Sequence, residues 1–408
     1  MTSTASAPTP ARVELLLVAL LTPLLLFPPI GYPLLLFVPL LLPAFWLIAP
    51  PPVTPLNGTL LLLLAAVLLS LTATIDIAYA TPKVLGVVLG CAVFFASVRS
   101  IRDERALAIA LDLFALAGGA LAAVGAVGTN WIGKVGALQR FTVRLPAVIR
   151  GVPGQSEGFQ PNAVAGALLL FIPLQLALAI TGRHRALRVA LLLFTSAVLL
   201  LTQSRNAWLS IAIVFAAWAI WQSRGVTRRV VIALVAVAVI GGAVLWAQGR
   251  HLLERTVGGG LSLDLAGRLE LWSRAISMIE DFPFTGAGMN GFRRVMPVMY
   301  PVLLTQPEVD VSHAHNQLLH TGAELGLVGL VAYIALWIGV AAMLVRAWRA
   351  GDSRIRWIVS GLGAGFAALF AFGMADAIAL GAKVGIVFWL ALALAAALYA
   401  RTADGASA

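Results

Sequence analysis

The chain has 408 residues, 61% of them hydrophobic and only 11% charged, too little polar surface for a water-soluble protein of this length. Its net charge of +11 points to topology-setting loops of a membrane protein and not to a nucleic-acid partner. The single cysteine, Cys91, lies inside an apolar run, so disulfides play no part.

Residues 1–10, built almost entirely from Ser, Thr, Ala and Pro, read as a short disordered tail. Behind them, apolar residues come in runs of the length that crosses a bilayer as a helix. About twelve spans are expected, at 13–30, 32–49, 57–76, 80–98, 106–127, 163–181, 187–203, 207–222, 229–247, 317–345, 356–376 and 382–400. The first has no small-x-small cleavage site and is followed by many others, so it reads as a span and not as a removable signal peptide. The expected fold class is an all-α polytopic membrane protein, one integral membrane domain over 1–408.

Counting loops alternately, one side collects Arg12, Arg99, Arg102, Arg105, Arg183, Arg185, Arg188, Arg224, Arg228, Arg229, Arg346, Arg349, Arg354, Arg356 and Arg401. The short loops on the other side hold only Lys83, Arg205 and Lys383. The positive-inside rule then places both termini in the cytoplasm. Two long loops face outward, 128–162 and 248–316, and long loops on one face of a rigid scaffold are where function collects. The first carries Lys134, Arg140, Arg144 and Arg150 against Glu157. The second contains an expected amphipathic helix at about 265–281, with the stripe Leu265, Leu269, Trp272, Ile276 and Ile279. Asp264 is its expected N-cap, and Pro283, Gly286 and Gly288 end it.

Three of the five histidines, His313, His315 and His320, follow within eight residues, where the polar loop gives way to an apolar helix. An unperturbed imidazole titrates near neutral pH, so His313 and His315 are candidate general bases; the plainer reading is two polar residues at a helix start. A zinc site using His320, Glu308 or Asp310 matches no recognised ligand spacing, so no metal is expected. His320, one turn deeper, reads as structural. Gly322, Gly326 and Gly329 read as a close-packing helix face. Glu324 between them should face the bundle interior and pair with an arginine, because a carboxylate is costly in lipid. Arg205, Arg268, Arg144 and Arg150 either snorkel at the membrane surface or bind phosphate through the planar guanidinium. Asp376 reads equally as a proton relay or a helix-pairing residue. No P-loop, Rossmann glycine fingerprint or zincin motif occurs, so no cofactor is expected and the energy of reaction must lie in the substrate.

His315-Asn316, nine residues, then Gly326-Leu327-Val328-Gly329 resembles the signature of O-antigen ligases and the related polymerases. Ser204-Arg205-Asn206-Ala207-Trp208, Gly267-Arg268-x3-Trp272 running to Pro283-x2-Gly286-x-Gly288, and Pro161-Asn162-Ala163 resemble that family in the same order, over about 160–330. The resemblance implies a GT-C-like membrane glycosyltransferase with a large helical periplasmic loop. It would move O-antigen glycan from undecaprenyl diphosphate to lipid A-core on the periplasmic face of the bacterial inner membrane. It implies His315 as the essential histidine, with His313 of the same reach, and Arg205 and Arg268 as the essential arginines. Arg144, Arg150, Asn316 and Glu324 would support them. Direct displacement by one base predicts inversion without a metal. A glycan polymerase or protein O-oligosaccharyltransferase would share the donor. A twelve-span transporter should instead show related halves and a polar midplane site.

Overall fold

The computed structural model describes residues 10–26, 41–131, 136–145, 148–149, 158–182, 184–237, 240, 260–302 and 311–404. Its helices are α1 (Pro10–Leu26), α2 (Leu41–Ile48), α3 (Asn57–Ser70), α4 (Ile77–Ser100), α5 (Glu104–Gly128) and α6 (Gly136–Thr142). The middle of the chain forms α7 (Pro161–Leu168), α8 (Ile172–Thr181), α9 (Arg185–Leu201), α10 (Arg205–Gln222) and α11 (225–237). The last third forms α12 (Gly260–Asp281), α13 (Phe292–Met299), α14 (Gln317–Ala350), α15 (Ser353–Gly373) and α16 (Ile386–Asp404). A single β-bridge, Thr129 to Phe159, is the only extended pairing among the described residues.

The all-helical expectation holds among the described residues. Six helical segments among the described residues are long and apolar enough to cross a membrane: Ile77–Ser100, Glu104–Gly128, Pro161–Thr181, Gln317–Ala350, Ser353–Gly373 and Lys383–Ala403. Every expected run overlaps a helix, yet several helices are short; α2 has 8 residues and α3 has 14. Apolar runs counted along a sequence do not distinguish a full crossing from a shorter packed helix.

At the centre lies α16, whose successive residues Ala391, Leu392, Ala393, Leu394 and Ala395 are all buried. A helix apolar on every side belongs in the interior, and α16 packs against α4 and α14, while α3 packs on α14. A smaller core joins α12, α13 and the chain entering α14, through Leu271, Met278, Phe292, Val295, Met296 and Ala314. Leu269 and Ile276 of the expected stripe are exposed, while Leu271, Ala275 and Met278 are buried, so apolar residues lie on both sides of α12. The helix also begins before Asp264, which is therefore inside it and not its cap.

Gly326 is more than a packing residue. It breaks α14 with φ 67° and ψ −171°, a conformation open essentially to glycine alone. The turn after α12 clasps that break. Leu327 N–H donates to Pro283 O at 2.7 Å, and Ala287 N–H donates to Ala323 O at 2.8 Å. Backbone groups that a continuous helix would pair internally are thus satisfied from outside. A Cβ on Gly326 would lie 2.5 Å from the Phe284 carbonyl carbon, and one on Gly286 would lie 2.3 Å from that of Glu324. The two glycine motifs are the two sides of one backbone contact. Gly326→Ala should cost on the order of 2–4 kcal/mol from strain and backbone clash, read as a lower melting temperature in detergent. Gly58→Ala, whose Cβ meets nothing within 4 Å, should melt within a degree or two of wild type; equal melting of both variants would refute this role of Gly326.

Candidate functional site

The segment Val311–Asn316 runs into α14 and turns sharply at its end. His315 has φ 50°, a left-handed conformation that costs a non-glycine residue on the order of 1–3 kcal/mol. Two contacts hold it there: Trp272 Nε1–H donates to His315 O at 3.4 Å, and His315 N–H donates to His313 Nδ1 at 3.3 Å. Asn316 then caps α14, its Oδ1 accepting from Leu318 N–H and Leu319 N–H at 3.0 and 3.1 Å. Its Nδ2 donates to Met374 O, and Gln317 Oε1 accepts from Ile378 N–H at 2.9 Å. The start of α14 is therefore fastened to the loop after α15.

That loop carries Asp376, which the sequence left undecided between two roles. Its carboxylate is 2% exposed and lies 3.3 Å from His315 Nδ1 and 3.7 Å from His313 Nε2, both measured to Oδ1. Asn162 Nδ2, from the first turn of α7, donates to Oδ2 at 2.8 Å, and Ala377 N–H donates to Oδ1 at 2.9 Å. The two imidazole rings meet edge to face with centroids 4.3 Å apart.

The electrostatics divide the two histidines. Burial pushes His313 down to about 3, and the neighbouring His315 reinforces this against the opposing pull of Asp376. For Asp376, burial acts upward, but the contact with His315, the charges of the histidine pair and the Ala377 N–H hold the carboxyl below its ordinary value. His313 is thus neutral at pH 7, with Nδ1 taken up by His315 N–H and Nε2 turned to Asp376. His315 turns Nδ1 to Asp376, which leaves Nε2 without a hydrogen-bond partner among the described residues, on a side chain 32% exposed.

The arginines are placed unequally. A guanidinium N–H of Arg268 donates to Ala375 O, next to Asp376. Arg205 is the exposed first residue of α10, and the neighbouring Asn206 donates through Nδ2 to Phe372 O at 2.8 Å, fastening this end of α10 beside the same loop. Arg144 is exposed in the turn after α6 and joins none of these contacts among the described residues. Arg150 lies outside the described residues, as do Glu308 and Asp310.

Glu324 faces the interior as expected, but its partner is a lysine. Lys83 Nζ of α4 lies 3.7 Å from Oε1, and His320 Nε2 lies 3.6 Å from Oε2. An arginine was expected because arginine dominates the chain; nothing in local sequence pairs Lys83 with a residue so far along. His320 is buried and packs against Phe292 at 5.5 Å, consistent with a structural place. Sequence reading also missed Trp272 as a support of His315 and Asn162 as a donor to Asp376. The only signal for either was its position in a family-like motif.

His313, His315 and Asp376 present ligand-type atoms within 4.8 Å of one another, the one such group among the described residues. Both carboxylate oxygens already accept N–H donors, and the third contact is an imidazole. This arrangement suits a carboxylate orienting a base better than a cation's donor set.

Both pKa displacements act on stability in the same direction. His313 has a folded value below its unfolded one, so stability is full above the unfolded value near 6.5 and falls as pH drops toward 3. Asp376, also depressed, holds its contribution above about 4 and loses it as pH falls through its folded value. Melting temperature should decline from pH 7 to pH 4, and His313→Gln should flatten the upper part of that decline. An unchanged slope in the variant would show that His313 is not buried as a neutral base.

In comparisons with known proteins, residues 190–334 match the family model described as O-antigen ligase. No curated protein matches the chain. The matched segment holds Arg205, Arg268, His313, His315 and both sides of the Gly326 contact, and over it the chain is similar to that family.

Proposed function

We propose that the protein transfers O-antigen glycan from undecaprenyl diphosphate to a sugar hydroxyl of lipid A-core, with His315 as general base. The observation that carries this reading is the placement of His315: Nδ1 lies 3.3 Å from the buried Asp376 carboxylate, on a side chain that is itself 32% exposed. This is the arrangement that fixes an imidazole tautomer and stabilises the imidazolium formed when the ring takes a proton. His313, with both nitrogens already engaged, shapes the turn and does not take the proton.

The reaction follows from these positions. The acceptor O–H bond breaks, with its proton going to His315 Nε2, as the acceptor oxygen bonds to the anomeric carbon of the donor. The bond from that carbon to the diphosphate breaks on the opposite face, which inverts the configuration. Polyprenyl diphosphate leaves with its added charge, and Arg268, which donates to Ala375 O, meets it together with Arg205, whose neighbour Asn206 is bonded to the end of α15. The donor is already activated, so neither nucleotide nor metal is required. The site belongs on the periplasmic face of the inner membrane, where the positive-inside distribution places the loops between α4 and α5, α8 and α9, and α14 and α15 on the opposite side.

The test is transfer by purified protein from lipid-linked O-antigen to lipid A-core, without ATP and with EDTA present. Wild type should transfer glycan. His315→Ala should lose on the order of 10²–10⁴-fold in rate, Arg268→Ala should be severely impaired, and His313→Ala should retain more activity than His315→Ala. Loss of wild-type activity in EDTA would replace the base with a metal reading. Growth of the glycan on its own lipid carrier, with none reaching lipid A-core, would make the protein a polymerase.

A further inference from the structure

The end of α14 farthest from His315 carries a charge pattern that the proposed chemistry does not use. Its last turns hold Arg346 and Arg349, and Arg354 and Arg356 follow at the start of α15. α10 ends beside them. The Trp221 and Trp348 rings meet at 5.0 Å, Trp218 and Trp357 at 6.0 Å, and Gln222 Nε2 donates to Ser360 Oγ at 3.4 Å. The chain leaving α10 adds Arg224, Arg228 and Arg229. Two helix junctions thus bring seven arginines, all exposed, to one corner of the bundle. The only carboxylate in residues 221–230 and 346–357 is Asp352, and its Oδ1 caps α15 by accepting from Ile355 N–H at 2.7 Å.

Setting topology accounts for basic residues on this side of the protein, but not for their lack of partners. Elsewhere on the same side Arg99 pairs with Glu14, Arg188 with Asp112 and Arg401 with Glu104. Among the described residues, none of the seven forms an ion pair with a carboxylate. Arg356 lies over the Trp348 ring at 5.3 Å and donates to Trp348 O at 3.1 Å and to Arg349 O at 3.4 Å, which fixes one guanidinium against α14. Trp221, half exposed, sits beside this platform as an aromatic of the kind found at headgroup depth. Next to the arginines, the apolar α11 residues Val226, Val230, Leu234 and Val237 are exposed as well. Hydrocarbon can therefore lie alongside the charge.

We infer that this corner binds an anionic phospholipid whose headgroup carries two phosphates. Charge of one sign on two adjoining junctions suits two anions joined by a short link, and a guanidinium can bond two oxygens of one phosphate. The exposed strip of α11 takes the acyl chains. A soluble polyanion would use the charge and leave the strip and Trp221 without a role. Basic pockets between helices on the side that the positive-inside distribution assigns to the cytoplasm are a recurrent form of lipid headgroup site. The inference is independent of the reaction proposed above, because the 34 residues of α14 separate the patch from His315, roughly 50 Å of helix.

The test is binding by delipidated wild type in neutral detergent at fixed ionic strength, read by native mass spectrometry. The probes are cardiolipin, phosphatidylglycerol and phosphatidylcholine of matched chains, with inorganic pyrophosphate as competitor. Cardiolipin should bind at least tenfold more tightly than phosphatidylcholine, with phosphatidylglycerol between them, and an equal concentration of pyrophosphate should not displace it. The double variant Arg228→Gln/Arg354→Gln, one change at each junction, should weaken cardiolipin binding on the order of tenfold. Arg102→Gln/Arg105→Gln removes the same charge from the α4–α5 junction on the same side and should leave binding within twofold. Both variants change exposed side chains, and their melting temperatures without lipid check that they fold; the comparison of lipids on wild type needs no variant. Equal binding of cardiolipin and phosphatidylcholine would overturn the site, and equal loss in both double variants would reduce it to diffuse surface charge. Displacement by pyrophosphate would make it a site for free phosphate, and equal affinity for phosphatidylglycerol would remove the two-phosphate requirement.

Discussion

The Asp376 carboxylate is the point on which the site depends. Taking a carboxylate out of water costs several kcal/mol unless its oxygens are fully engaged. Asp376 meets that demand with N–H donors from Asn162 and Ala377 and with two imidazoles, and in doing so joins α7, the loop after α15 and the entry to α14. The same interactions that make the burial tolerable also orient His315. Stability and proposed chemistry thus draw on one set of contacts.

The remainder of the structure can be understood as support for that junction. A helix as long as α14 would normally run straight, but the break at Gly326 makes its first turns a separate segment. That segment is held by the Pro283–Gly288 turn on one side and by Asn316 and Gln317 on the other. The Lys83–Glu324 pair adds a tie from α4, inside the bundle. With so many anchors, His315 can occupy a left-handed conformation that an isolated turn would leave. α12 brings both Trp272, under the His315 carbonyl, and Arg268, on the Ala375 carbonyl, so the proposed base and the cation beside it are set by one element.

Much of this was legible in the sequence, and what was not has identifiable causes. Hydropathy revealed the helical membrane class because apolar run length is a local property; the length of each helix was less legible because packing partners, not composition alone, decide it. The loop–helix junction at His315 stood out because histidine and polar residues are rare in such a chain. Gly326 was visible as a glycine but not as a break, since the turn that clasps it lies some forty residues earlier. Asp376 could not be assigned because its partners lie far away in sequence, and residue type alone does not distinguish a helix-pairing carboxylate from one that orients a base. The inward face of α12 was not legible for a similar reason: with apolar residues on two faces, only the neighbours decide.

The measurement that bears most directly on the proposed chemistry is the pH–rate profile of glycan transfer by wild type and by Asp376→Asn, at saturating donor. Orientation of His315 by the carboxylate predicts that Asp376→Asn loses on the order of 10²-fold or more in kcat across the profile, with the donor KM little changed. Wild-type kcat across the profile in a folded Asp376→Asn protein would contradict the pairing of His315 with Asp376 as the catalytic unit.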